Sequence, residues 1–308
     1  MKQPKVTVVG SFNFDLAMRT PRMPVKGETI LGGPFHMGPG GKGANQAVAA
    51  ARLGADVTMV VKLGKDLFGD IAHKNLVEEG VKPDHIIRTE ETHTGTATIL
   101  LDSAGENMIV VAAGANTLLS PADLEAARQS IGNADVLLVQ LEIPMGTVRH
   151  AISLAHEAGV PVLLNPAPGL ALVPELLRQV SVLTPNETEA EIITGLPVRS
   201  LTEAEAAGHR LVSLGVNAAV ITLGGQGALI VTAEVVRHVA GRTVQVVDTT
   251  GAGDAFSGAL AVALAEGQSL VDAVEFATVA ASIQVTRLGT APAMARRWEV
   301  EEALASHQ

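Results

Sequence analysis

Short runs of β-branched and aliphatic residues alternate with longer alanine-rich segments along almost the whole chain, and few architectures accept that alternation. Residues 6–9, 57–61, 136–139, 160–164, 182–183 and 218–222 are continuous apolar runs, which predicts strands buried on both faces. Helical stretches lie between and after them, at 44–53, 68–79, 121–130, 147–158, 186–194 and 202–214. Several close on a glycine (Gly54, Gly80, Gly159, Gly215), the usual C-terminal stop of a helix. Strands that alternate with helices in this way form a mostly parallel sheet covered by helices on both faces. The C-terminal third reads as helical, at 252–266, 269–286 and 298–305.

Two stretches break the rhythm. Residues 13–40 hold strand-like material at 16–20 and 28–37 but no helix, and residues 94–112 read as a hairpin, 94–101 and 107–112, around a turn at 102–106. They predict a small β layer contributed by two separate segments. Composition narrows the class further. The 22 basic and 32 acidic residues leave a net charge of −10, with Lys and Arg scattered, which argues against a nucleic-acid partner. Aromatic residues are 2% of the chain with no Tyr, so base-stacking platforms are not expected either. Cysteine is absent, which excludes thiol nucleophiles, disulfides and Cys-metal sites. The nine histidines lack the i, i+4 spacing of a metal-binding helix. No apolar run approaches the roughly 18 residues that span a bilayer, and the N-terminal run is too short for a signal peptide. The expectation is a soluble, cytoplasmic protein with no membrane partner.

Three glycine clusters carry the chemistry. The first, Gly38-Pro39-Gly40-Gly41-Lys42-Gly43-Ala44-Asn45, fails as a phosphate-binding Walker loop, because His36 and Gly43 stand where that loop needs Gly and Ser or Thr. It matches a dinucleotide fingerprint formally. However, it does not follow the first strand, and the next strand ends at Lys62 rather than at an acid for the ribose hydroxyls. A flexible lead-in to a helix remains open, as does a loop whose backbone approaches a small polyol, with Asn45 as donor and acceptor. The second cluster, Thr222-Leu223-Gly224-Gly225-Gln226-Gly227, is either a hairpin turn or a close backbone approach to a ligand's phosphates. The third is Asp248-Thr249-Thr250-Gly251-Ala252-Gly253-Asp254. A strand at 246–247 is expected to enter this turn and a helix to leave it, with the amides of Gly251, Ala252 and Gly253 forming an anion site. Asp254 in the first helical turn is either a dipole partner or the base for a hydroxyl that attacks a phosphoryl group held by those amides. A fourth element, Thr184-Pro185-Asn186-Glu187-Thr188-Glu189, reads as a capping box from Thr184 to Glu187; Asn186 and Glu189 could instead organise Mg²⁺ through water.

In order along the chain, Gly10-Ser11-x-Asn13-x-Asp15, the Gly40–Ala47 stretch, Asn165-Pro166-Ala167-Pro168, the 184–189 element, Thr222-Leu223-Gly224 and the 248–254 cluster resemble the PfkB carbohydrate kinase family, especially its ribose-phosphorylating branch. The resemblance implies a ribokinase-like three-layer αβα sandwich around a mostly parallel sheet, with residues 1–12, 41–93 and 113–308 as the core. Residues 13–40 and 94–112 would be a β-sheet lid that also makes a homodimer contact. It implies ATP-dependent phosphorylation of ribose at the 5-hydroxyl. Asn13, Phe14, Asp15, Gly41, Lys42, Gly43, Ala44, Asn45 and Glu142 would hold the sugar. Asp254 would be the base, and the amides of Gly251, Ala252 and Gly253 the anion hole. Asn186, Thr222 to Gly227 (with Leu223, Gly224, Gly225 and Gln226), Gly253 and Thr278 would serve ATP, and Glu189 Mg²⁺ through water. K⁺ would lie among Asp248, Thr250, Gln284, Arg287, Gly289 and Ala293, held largely by backbone oxygens. Ala293 stands where the family often has a small hydroxyl residue, and Thr278 where a larger polar residue is expected. Related sugar or nucleoside kinases (deoxyribose, adenosine, cytidine, fructose), a non-catalytic sugar-binding protein on the same fold, and an oxidoreductase are the alternatives.

Overall fold

The central strands of the main sheet feed two cores, and the strand alternation decides which. In the computed structural model, which describes residues 3–104 and 107–306, Val6, Val8, Val57, Met59, Leu138 and Val220 enter one buried cluster. Their neighbours Val9, Val60, Leu137, Val139, Ala219 and Ile221 enter a second. Successive side chains of a strand point to opposite faces, so continuous apolar strands require a helical layer on each side.

The strands are β1 (Lys5–Val9), β2 (Asn13–Arg19), β3 (Phe35–Gly40), β4 (Asp56–Gly64), β5 (Val81–Lys82), β6 (Ile86–Thr89) and β7 (Thr96–Leu101). There follow β8 (Asn107–Ala112), β9 (Val136–Val139), β10 (Val162–Leu164), β11 (Val182–Leu183), β12 (Ala218–Thr222), β13 (Gly227–Val231) and β14 (Val236–Ala240). The large sheet runs β14-β13-β12-β11-β10-β9-β1-β4-β5, with β6 also on β4. It is parallel except where β13 pairs antiparallel with both β12 and β14. The first core takes helices Lys42–Arg52, Ala252–Ala265 and Leu270–Gln284; the second takes helices Met145–Glu157 and Leu201–Ser213. The αβα sandwich is therefore present, and no helix among the described residues is long and apolar enough to cross a membrane.

The small β layer is a separate four-stranded sheet, β3-β2-β7-β8, in which the two chain segments join through parallel pairing of β2 with β7. The strand expected from residue 28 starts only at Phe35 and pairs with β2 from Met18↔Phe35 to Asn13↔Gly40. Pro21, Pro24 and Pro34, together with Gly27, Gly32 and Gly33, deny residues 20–34 a continuous ladder. An ion pair between Arg22 and Glu28 and a Val25 amide bonded to Glu28 shape that loop instead. The turn expected at 102–106 includes Gly105 and Glu106, which lie outside the described residues. The helix expected at 121–130 is two pieces, Pro121–Ala126 and Arg128–Gly132. No strand enters the third glycine cluster: residues 241–249 leave the sheet after β14, with Val246 and Val247 exposed and their chain held by amides of Val247 and Asp248 on the Val285 carbonyl.

One helix contact positions the site. A Cβ at Gly258 would lie 2.7 Å from Ala49 Cβ and 2.7 Å from the Gln46 carbonyl, so helices 42–52 and 252–265 meet at a distance only glycine permits. That approach brings Asn45 and Gln46 against the start of the second helix.

Candidate active site

At the N-terminus of helix Ala252–Ala265, Gly251 caps in the left-handed region, φ 84°, without a side-chain cap. Three amides were expected to face a ligand there. The amide of Ala252 donates instead to the Thr249 carbonyl at 3.2 Å, because the turn closes on itself. Those of Gly251 and Gly253 take no partner from the described residues, and with the helix dipole they leave a two-amide anion site.

Asp254 stands beside that site, buried. Asn45 Nδ2 donates to its Oδ2 and Gln46 Nε2 to its Oδ1, both at 2.9 Å. Burial pushes its carboxyl up, while Lys42, Gln46 and Asn45 pull the other way. A simple dipole partner on the helix surface would show none of this. Gln46 is itself fixed: Gln140 Nε2 donates to its Oε1 at 2.6 Å, and its Nε2 also reaches Asn165 Oδ1 at 3.0 Å. Asn165 in turn donates to the Thr184 carbonyl at 3.0 Å. Asn45 Oδ1 is buried without a protein partner, an acceptor left for a ligand hydroxyl.

The first glycine cluster folds against residues 10–13. A Cβ at Gly43 would lie 2.5 Å from the Ser11 amide nitrogen and one at Gly41, φ 87°, 2.5 Å from that of Asn13, so neither position admits a side chain. Glu142 Oε2 accepts from Ser11 Oγ and, at 3.0 Å, from the Lys42 amide. Asn13 is buried, its Oδ1 accepting from Asn116 Nδ2 at 3.0 Å, while Asn116 also clamps both backbone groups of Phe12. Asp15 is pushed up to about 7, first by burial and then by the charges of Glu142 and Asp254. Asn13, Asp15, Gly41, Asn45 and Glu142 thus gather on one side of Asp254. Phe14 does not join them: its ring stacks on Phe68 at 4.5 Å and belongs to the core. Ala44 is likewise buried, its amide bonded to the Ser11 carbonyl.

A cavity of about 160 Å³ is lined by Asp254, Lys42, Asn186, Glu189 and Thr222 together with Thr249 and residues 251–253 of the turn. Lys42, expected with the sugar residues, is the one cation lining it. Burial works against the Lys42 charge, but Asp254, Glu142 and Glu189 outweigh it and hold the ammonium above its ordinary range. The capping box joins Asn186 with Glu189, not Thr184 with Glu187, since Asn186 is the residue with non-helical backbone at the helix start. Glu189 is raised by burial, the Asn186 amide and Lys42 opposing. Thr222 reaches this place because it bridges Asn186. Beyond it, a Cβ on Gly224 or Gly225 would meet nothing within 4 Å, and both are exposed. Gly227 is tight instead, against the Val239 carbonyl, and Leu223 is buried. Thr278 is not among the cavity's lining residues; its hydroxyl donates to the Val274 carbonyl at 2.8 Å.

Asp248, Thr250, Gln284 and Gly289 also come together. Asp248 accepts the Thr250 amide at 2.9 Å and that of Gly289 at 3.0 Å, and Gln284 Nε2 donates to the carbonyls of Thr250 and Gly289 at 2.6 and 3.1 Å. The side chain of Arg287 pairs with Glu299, and Ala293 is buried. Gln46 and Asn165 stood in the quoted motifs without a role, and Gln140 and Asn116 stood in no motif; a polar residue directly after the apolar run 136–139 was the only signal for Gln140, and Asn116 had none.

The model of the pfkB family of carbohydrate kinases matches residues 3–296. The chain is 43% identical to a ribokinase of Bacillus subtilis over 307 residues, covering 97% of this chain and 99% of that one. It is 40% identical to a ribokinase of Haemophilus influenzae, covering 97% and 98%, and 39% identical to a deoxyribokinase of Salmonella typhi, covering 92% and 94%. Among solved structures, Arabidopsis thaliana ribokinase complexed with ribose and ATP superposes with a TM-score of 0.91 at 35% identity, covering 99% of each chain.

Asp15 makes stability depend on pH. Between its ordinary value of 3.8 and about 7, the folded chain keeps a proton that the unfolded chain has released, so this group lowers stability as pH rises through that window. Asp15→Asn removes the effect. Above pH 7 the variant should unfold at a higher temperature than the parent, by about 2–4 °C for each kcal/mol relieved, with the gap closing near pH 4. Thermal unfolding of both chains from pH 4 to 8 measures it.

Proposed function

The chain belongs to the pfkB family of carbohydrate kinases, and from that premise we propose that it transfers the γ-phosphoryl group of ATP to the 5-hydroxyl of ribose. One observation carries the reading: Asp254, bonded by Asn45 and Gln46, lines the same cavity as Lys42 and the turn of Gly251 and Gly253. Asn13, Asp15, Asn45 and Glu142 hold the sugar hydroxyls, and Gly41 and Gly43 let the loop pack on residues 10–13 so that these groups converge. Asp254 takes the proton as the sugar oxygen bonds to phosphorus and the bond to the bridging oxygen of ADP breaks. The amides of Gly251 and Gly253 and the Lys42 ammonium stabilise charge on the transferred group. Asn186 and Thr222 support the phosphates, and the open 224–226 turn receives the nucleoside.

Magnesium bound with ATP would supply charge neutralisation at the phosphates. No three His, Asp or Glu side chains among the described residues form a metal cage, which suits an ion held by phosphates and water, with Asn186 and Glu189 behind the water. The activating K⁺ that the resemblance implies meets a different arrangement of donors, treated below.

We assign the segments 13–40 and 94–112 as a lid over the sugar, in a cytoplasmic enzyme. One face of its sheet exposes Met18, Phe35, Met37, Met108 and Val110, an apolar surface that a second copy of the chain would cover. Sedimentation at micromolar concentration should show a two-chain species, and a fully active monomer would contradict it.

The relatives include deoxyribokinases as well as ribokinases, so deoxyribose is the second reading. Turnover of ATP measured across ribose, deoxyribose, fructose, adenosine and cytidine should give ribose the highest kcat/KM. A higher value for another acceptor overturns the substrate while leaving the kinase. Asp254→Asn should keep ATP and sugar binding and lose about 10²–10⁴-fold in kcat. Near-parental kcat would reduce Asp254 to a helix-dipole partner.

A further inference from the structure

The residues expected around a monovalent cation meet, but their donors do not fit one. Two carbonyls assigned to the ion, those of Thr250 and Gly289, already accept the two protons of the Gln284 amide, at 2.6 and 3.1 Å. A third, the Gln284 carbonyl, accepts the Arg287 amide at 3.0 Å. The carboxylate oxygens of Asp248 accept the amides of Thr250 and Gly289. Gln284 is wholly buried, and its NH₂, an electropositive group with two protons, lies where a cation bridging these carbonyls would lie. Its Oε1 is buried without a partner. Reversing the amide would put that oxygen 2.6 Å from the Thr250 carbonyl oxygen, a repulsive contact too short for two ligands of one large ion.

We infer that the Gln284 side-chain amide does the work of the cation in this chain, fixing the anion site without a bound monovalent ion. The lever is the peptide between Thr250 and Gly251. That unit is planar, with its C=O and N–H pointing opposite ways. Holding the Thr250 carbonyl therefore aims the Gly251 amide into the phosphate site. The same NH₂ holds Gly289, whose neighbour Thr290 lies 3.4 Å from the position of a Cβ on Gly251 and bonds through Oγ1 to the Pro39 carbonyl at 3.2 Å. Gln284 thus ties the anion site to the lid strand β3 as a positioning residue.

The inference rests on the kinase reading, and two readouts separate them. Turnover with ATP and ribose, and the unfolding midpoint without substrates, are measured in KCl and in tetramethylammonium chloride at equal ionic strength. The unaltered chain should show kcat and midpoint the same in both salts, within twofold for kcat. Gln284→Ala opens the position: without K⁺ its kcat should fall tenfold or more, and K⁺ should restore it and raise its midpoint. Gln284→Met, which fills the space without donating, should lose activity that K⁺ does not restore. K⁺-specific activation of the unaltered chain by severalfold, with a raised midpoint, overturns the inference. So does a Gln284→Ala chain fully active without K⁺. If no sugar is turned over, the substrate reading fails and the midpoints still decide the inference.

Discussion

As the base proposed here, Asp254 has to be sheltered from water and yet able to ionise, and these demands conflict, since burial favours the neutral acid. Much of the surrounding structure resolves the conflict. Asn45 and Gln46 each donate to one carboxylate oxygen, and Gln140 and Asn165 hold Gln46 so that it can only donate. Both donors come from a helix brought close by the Gly258 contact, where any side chain would push Gln46 away. Lys42 supplies the balancing charge from the first turn of the same helix. Burial pushes Asp254 up against these donors, and a raised proton affinity is what general-base chemistry asks of a carboxylate.

The charges nearby follow from the same arrangement. Asp15, Glu142, Asp254 and Glu189 are four carboxylates around one ammonium, and three of them are raised. Such a cluster is poor for stability and suits a site whose ligands complete it, in the reading proposed above sugar hydroxyls at Asp15 and Glu142 and phosphate at Lys42. Gly41, Gly43 and Gly258 serve one end, bringing backbone or helix closer than a Cβ would permit, while Gly251 supplies the left-handed turn.

The alternation of apolar runs with alanine-rich segments made the sandwich legible, because buried parallel strands have little other way to be written. The β layer was legible as an interruption of that rhythm. The misread segments have a common cause. Residues 28–34 and 244–249 carry β-branched or apolar residues, but their backbone finds no ladder partner: proline and glycine break one, and departure from the sheet edge removes the other. In the site, acids and glycines were legible because few other roles require them. Gln140 and Asn116 were not, because a glutamine or asparagine reveals its partner only once the chain has folded. Phe14 was misplaced by its position between Asn13 and Asp15, since alternate residues of β2 face opposite ways.

If Asp254 is the base, hydrogen bonds from Gln46 and Asn45 hold its proton affinity below what burial alone would give. The pH dependence of kcat at saturating ATP and sugar, which reports groups in the substrate complex, tests it in the parent and in Gln46→Met. A hydrogen bond to a charged group is worth about 1.5–3 kcal/mol, or roughly 1–2 pH units. The acid limb should therefore move upward by about one unit in the variant, with much of the activity regained at high pH. A limb at the parental pH with activity lowered evenly across the range would contradict the account.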